Sequence, residues 1–476
     1  MTEATRTKPS GIPVPKEGTA EFEEKYKMAR VAIPLVLCIY TLGVFMQQAV
    51  GMVYVNIGDQ LGQPSLASLI TSIPGIVLGV TSIVYGALGD FVSLKKMMVL
   101  GTIAFVIGSA CGCIEYFGIW GVIVGRALQT AGWQASGTVF LILVSKYTKE
   151  HERVAWYGIF VAVFRFSAAA GVFLAGYLTL INWRILLAIG MVEVLAIPLL
   201  LHSLPDEHLG GYRIDVIGFV LVGLMAGAIT MFFTSWTAAL GVLALLTTIV
   251  FIVYISRAKD PFVSPKMLTS APFVLINLVT FVGYLFSYTI TPGVNGIGLA
   301  VFGVNSAVVS NNLVWSILLA AIIGFVAGPI INWMGRDKSI LFALACMAIG
   351  LIAVAFAIPY GQTWTLAIAP CVYYFGTSFF YQPVVDTAAL TVEPEESGRA
   401  LGFNGMIQAI SGSIGVAFLG RLIANNAMSN GSLFGIAKGS ASTYANVFIM
   451  GAALVFSALI IFLFAKKTIN REQHDK

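Results

Sequence analysis

The chain has 476 residues, 58% of them hydrophobic and only 10% charged, with a mean hydropathy of +0.89 and a formal net charge of +5. Soluble domains carry roughly 45–50% apolar and roughly 25% charged residues, so a chain of this length cannot hide its apolar surface from water and must have lipid as its main solvent. The five cysteines (Cys38, Cys111, Cys113, Cys346, Cys371) all fall in apolar runs, which argues against a disulfide framework or a metal site.

In chain order, residues 1–30 are polar and lack the apolar core of a signal peptide, so they are expected to form a cytosolic tail ending in a short amphipathic lead-in from Phe22 to Arg30. Six apolar runs follow at 31–54, 66–88, 97–115, 119–144, 154–178 and 183–203, each near the ~20 residues a spanning helix needs. Two more, at 214–234 and 237–256, lie in a linker over 204–271. A second set of six comes at 272–292, 306–331, 339–359, 364–391, 401–424 and 444–465, before a short tail at 467–476. With the N-terminus inside, 22 of the 27 Lys and Arg fall in tails or inner loops and only Arg184, Arg421 and Lys438 fall outside. Short cytoplasmic loops collect such residues. The expectation is therefore an all-α, multi-pass protein of the cytoplasmic membrane with fourteen spans and both termini cytosolic. The positive charge reports topology, and no nucleic-acid partner is needed to explain it.

An internal repeat organises these spans. Gly86-Ala-Leu-Gly89-Asp90-Phe-Val-Ser93-Leu-Lys95-Lys96 after the second span matches Gly328-Pro-Ile-Ile-Asn332-Trp-Met-Gly335-Arg336-Asp337-Lys338 after the tenth, 242 residues on. Gly158, Ser167, Gly171 and Gly176 of the fifth span recur as Gly402, Ser411, Gly415 and Gly420 of the thirteenth, 244 residues on. Two such matches make residues 31–203 and 272–466 parallel six-helix bundles, with the seventh and eighth spans inserted between them.

On these residues the chain resembles the major facilitator superfamily, in particular its fourteen-span drug:proton antiporters, which include the class K and L tetracycline exporters. Gly86 to Lys96 is similar to the family's loop motif between spans 2 and 3, and Arg126, Gln129 and Gly132 to its fourth-span motif. Asn182-Trp183-Arg184 and Ile214-Asp215-Val216-Ile217-Gly218 resemble stretches of the fourteen-span branch. The antiporter motif departs from the family: Val172 stands where a proline is usual and Ser167 where a glycine is. Spans 1 and 13 carry Gln47, Gln48 and Ser411 where the exporters tend to have acids. The resemblance implies a path between the halves, lined by spans 1, 2, 4, 5, 9, 10, 12 and 13.

Ionisable groups within spans are costly, roughly 2.5–3.5 kcal/mol at the centre, and default to functional candidates. Arg165, about eleven residues into the fifth span, shares a face with Gly158, Ala162, Ala169, Val172 and Gly176. A guanidinium there can hold an anion in bidentate fashion, or it can pair with Glu193 of the sixth span. Arg126 carries over the family's part in coupling protonation to conformational change, or it serves helix packing, with Gln129 and Trp133 near the same face. Tyr374 is a candidate wall for an apolar ligand body. Asp386, in the twelfth span, is a proton carrier if desolvated or else polarity near the inner end; Glu193 is the next candidate. Asp90, Lys95 and Lys96 form a gate latch or simply carry topology charge.

No phosphate loop, metal-spaced histidines or catalytic triad is present, and Asn295-Gly296-Ile297-Gly298 is expected to be an outer loop. The reading is a secondary active transporter with no enzymatic activity and no cofactor, working as a monomer. Two arginines and no acid in the first-half path favour proton-coupled uptake of an amphipathic organic anion. The chain resembles the branch of its group that imports bile acids in symport with protons. The alternative is efflux of drugs or toxic compounds by proton antiport.

Overall fold

The computed structural model describes residues 18–88, 92–206, 215–258, 261–393 and 396–474, and among these no strand occurs. The first bundle comprises α1 (Ala20–Gln60), α2 (Leu69–Leu88), α3 (Leu94–Cys113), α4 (Gly118–Tyr147), α5 (Glu150–Ile181), and a sixth span made of α6 (Arg184–Ala188), a 3₁₀ stretch (Ile189–Ala196) and α7 (Ile197–Ser203). The inserted pair is α8 (Val216–Ser235) and α9 (Ala238–Arg257). After the short α10 (Pro265–Thr269) come α11 (Ala271–Tyr284), α12 (Ile290–Ala300), α13 (Ser306–Met334), α14 (Arg336–Ala357), α15 (Thr365–Leu390), α16 (Ser397–Ala424) and α17 (Ser440–His474).

Among the described residues, twelve helical segments are long and apolar enough to cross a membrane. The expected ninth and twelfth spans are not among them. The ninth is broken between Tyr284 and Ile290 into α11 and α12, and Asn295–Gly298 lies buried in α12, so the outer loop expected there is corrected to helix. The twelfth is the continuous 26-residue α15, whose Tyr, Thr, Ser, Gln and Asp side chains dilute its apolar character.

Local chemistry explains the boundaries. Thr19 accepts a hydrogen bond from the Phe22 amide, and Glu21 and Glu23 occupy the first turn, so α1 begins at Ala20 and the lead-in is one helix with the first span. Asn305 caps α13 in the same way. Gly335, at φ 82°, makes the tight turn into α14 that a Cβ would strain. Pro198 near the start of α7 cannot donate to the Val194 carbonyl, which interrupts the α ladder where the 3₁₀ stretch ends. Asp215 ties the inserted pair together: it caps α8 through the Gly218 amide at 2.8 Å, accepts from Tyr254 of α9 at 2.5 Å, and accepts from the Phe262 amide at 3.0 Å.

Packing follows the repeat. α2 lies on α4 as α13 lies on α15, and α3 on α4 as α14 on α15. Across the halves α5 meets α13 and α2 meets α16, while α8 packs on α2 and α16 and leaves α9 largely exposed to lipid. The repeated glycines sit at equivalent approaches. A Cβ on Gly171 would strike the Phe45 carbonyl of α1, and one on Gly415 the Leu285 carbonyl beyond α11. A Cβ on Gly176 would strike Ser306, Ala307 and Ser310 of α13, and one on Gly420 would crowd Ser68 and Tyr54.

Candidate functional site

The face of α5 that packs on α13 at Gly176 is buried at Ala169 and Val172, but opens toward the end of the molecule that carries the chain termini. Gly158 of α5 and Gly324 and Gly328 of α13 have nothing within 4 Å of a Cβ position. At the opposite end, Asn295 donates its side-chain amide to the Met52 carbonyl at 3.3 Å and to Asn56 at 3.1 Å, joining α12 to α1. The halves therefore meet at one end and diverge between α5 and α13 at the other, while α2 and α16 stay in touch near Ile83 and Gly402.

Arg165 stands midway along α5 where this cleft begins. It is half-buried, its guanidinium lies 5.7 Å from the Phe164 ring centroid, and Tyr40 of α1, Tyr284 of α11 and Tyr381 of α15 are its electrostatic neighbours. Among the described residues it makes neither an ion pair nor a hydrogen bond, so the alternative of a structural pair with Glu193 is not realised. Tyr40 is held by Phe160 at 4.5 Å and Trp133 at 5.5 Å. The sequence reading did not single out these three tyrosines as a group. Their signal was phenolic hydroxyls in three separate spans, which only the fold brings together.

The fourth-span residues lie elsewhere. Arg126 is 2% exposed and donates to Gln129 at 2.8 Å and to Gln47 at 2.6 Å, and Gln129 donates to Ser109 at 2.7 Å. Of the two alternatives for Arg126 the arrangement matches helix packing rather than an open place on the path: Arg126, Gln129 and Trp133, candidates for contact with the solute, are all buried between α1, α3 and α4, with Trp133 packed on Gly43. The side-chain amides of Gln47 and Gln129 each accept one hydrogen bond from the guanidinium, whose Nε–H is buried without a partner among the described residues. Tyr374 is half-buried, and its hydroxyl shares a 2.7 Å hydrogen bond with Thr291, linking α15 to α12.

Glu193 lies in the 3₁₀ stretch of the sixth span and is 4% exposed, with neither carboxylate oxygen hydrogen-bonded. One 3₁₀ turn earlier, Gly190 packs on Ser109, Met46 and Phe105, which places the stretch against α1 and α3, behind the cleft. Asp386 lacks the desolvation a proton carrier needs: its side chain is 58% exposed and 3.3 Å from Arg336. Lys95 is half-buried and Lys96 exposed, while Asp90 lies outside the described residues. The start of α3 is instead held where Ser93 donates to Asp206 at 2.5 Å. Another feature not anticipated is a buried polar chain in the second half: Asn404 donates to Asn277 and Thr280, each at 3.0 Å, and accepts from Gln408 at 2.8 Å. No group of three or more His, Cys, Asp or Glu suited to a metal occurs among the described residues.

The Major Facilitator Superfamily profile matches residues 36–213 and 214–416. The chain is 24% identical over 399 residues to a multidrug transporter of Bacillus subtilis, covering 79% of this chain and 71% of that one. It is 24% identical over 437 residues to a methylenomycin A resistance protein of the same organism, covering 84% and 87%. The fold superposes on a POT family transporter solved in complex with 5-aminolevulinic acid, with a TM-score of 0.66, 15% identity, and 92% and 96% of the two chains covered.

Proposed function

The chain belongs to the Major Facilitator Superfamily, and we propose that it carries an amphipathic organic anion through the cleft between its halves, with Arg165 as the counter-charge. It is a multi-pass membrane transporter with no sign of enzymatic activity, all-α with its family domain in two halves. The finer reading rests on one observation: Arg165 is a half-buried guanidinium in a spanning segment with no anion supplied by the described protein residues. Leaving such a charge partly desolvated is costly unless a ligand completes it. The three tyrosines around it offer hydroxyls for a carboxylate, sulfate or phosphate and ring faces for an apolar body.

Protons supply the driving force in this reading. Glu193 is the carrier in this reading, because it is a carboxylate buried within a span with neither oxygen hydrogen-bonded to a described residue. Asp386 is set aside as carrier and retained as the partner of Arg336. The end bearing the termini is placed in the cytosol on the distribution of Lys and Arg, with fourteen passages if the broken ninth span and α15 both cross.

Direction follows the relatives, whose names attach to multidrug transport and antibiotic resistance, so export is the leading reading. Uptake, with a bile acid as the type substrate, is a second reading carried by Val172 at the position of the antiporter proline. Purified protein tests the anion claim directly. Equilibrium binding of a labelled bile acid and of structurally unrelated amphipathic acids should weaken about tenfold in Arg165→Lys, the loss of one charged hydrogen bond of about 1.5 kcal/mol. Unchanged binding of every acid would remove Arg165 from the site.

A further inference from the structure

A cavity of about 480 Å³ lies away from the cleft, between the inserted pair and the second half. Its walls come from α8 (Val222, Ala226, Phe233), α9 (Phe251), α11 (Phe281) and α16, and they present no polar surface. Cavities of about 300–1,000 Å³ are the size that holds small ligands. This one runs beside α16 from Phe403 to Leu419, which at 1.5 Å per residue is roughly 24 Å of a hydrocarbon layer about 30 Å thick. Spread over that length, the volume forms a narrow slot suited to one flexible chain. Apart from Leu285, just past the end of α11, its lining belongs to helices long enough to span or to α11, and α9 beside it turns Leu245, Leu246 and Ile249 outward, each about half exposed. At that depth the surrounding fluid is lipid hydrocarbon, and no polar group in the wall could hold water.

We propose that this slot is a lipid site, occupied by an acyl chain of the bilayer that wedges α8 and α9 against α16. The occupant is a chain, because a polar or charged solute would find no hydrogen-bond partner in the wall. The site is independent of Arg165, and the proposal does not rest on the transported solute.

The full-length protein in vesicles of phosphatidylcholine and phosphatidylglycerol, a fraction of them carrying a diazirine in one acyl chain, tests it. Peptide mapping after illumination should find labelling at Met225, Met406 and Ile410 several-fold above that at Leu245 and Ile249, which meet only bulk lipid. Ala226→Trp or, separately, Ile410→Phe should fill the slot and reduce labelling there at least threefold while sparing Leu245 and Ile249, in variants that remain monodisperse. Equal labelling of slot and outer face would overturn the proposal, as would labelling indifferent to both substitutions. So would displacement of the label by an amphipathic acid at its binding concentration, which would assign the slot to the solute.

Discussion

A single guanidinium separates the readings of substrate charge. In the sequence, Arg165 was legible as an arginine deep in an apolar run, and the structure places it midway along α5, at the inner end of the cleft. Arg126 was equally legible as a buried charge but not as a group bonded to Gln47 and Gln129, because its partner on α1 lies 79 residues away and helical phase alone does not name it. Arg165→Ala should weaken binding of an amphipathic acid by about thirtyfold, corresponding to the roughly 2 kcal/mol at the low end for removing one partner of a desolvated charge pair. Protein level in the membrane should be little changed, because no protein carboxylate among the described residues is left unpaired. Glu193→Gln is the companion experiment. If Glu193 carries its proton when buried, the neutral amide should leave the thermal midpoint within about 1–2 °C of wild type while abolishing accumulation driven by a pH gradient. A large fall in stability with coupling intact would make Glu193 a structural group.

Between elements, the repeat proved to be a packing code. The spacing of Gly171 and Gly176 against Gly415 and Gly420 was visible as an offset of 244 residues, and each sits at a close approach to an equivalent neighbour: backbone for Gly171 and Gly415, Ser306, Ala307 and Ser310 for Gly176, and Ser68 and Tyr54 for Gly420. The break between α11 and α12 was not visible, since Leu285–Thr289 (Leu-Phe-Ser-Tyr-Thr) has no proline or glycine of its own. The break lies at a close tertiary approach, where a Cβ on Gly415 of α16 would overlap the Leu285 carbonyl. The 3₁₀ stretch around Glu193 was hidden for a similar reason, with only Pro198 to signal it. Gly176→Val should force α5 and α13 apart where they now touch, at an overpacking cost of about 1–3 kcal/mol. Asn295→Ala removes two hydrogen bonds worth about 0.5–1.5 kcal/mol each, in the same direction. In both variants a cysteine placed at residue 55, which leaves Asn56 in place, should react about five- to tenfold faster with a membrane-impermeant maleimide added on the side opposite the termini. Unaltered reactivity would show that these contacts do not hold that end closed.

For the whole molecule, composition alone pointed to a membrane protein, and the internal repeat pointed to two halves, which the family match also divides at residues 213 and 214. The identity of the solute was not legible in the same way, because recognition depends on which faces of separate helices turn toward one cleft. Trp133, Gln129 and Arg126 shared a helix face in the sequence yet turned into the bundle, whereas Tyr40, Tyr284 and Tyr381, far apart in the chain, gathered at Arg165. A cleft whose half-buried Arg165 meets no protein carboxylate among the described residues should move an amphipathic anion, and transport itself tests this. Purified protein in sealed vesicles under an imposed pH gradient should move a labelled amphipathic acid, such as a bile acid, much faster than its uncharged alcohol analogue, with the preference lost in Arg165→Lys. Equal rates for acid and alcohol in the wild-type protein, or an undiminished preference in the variant, would contradict it.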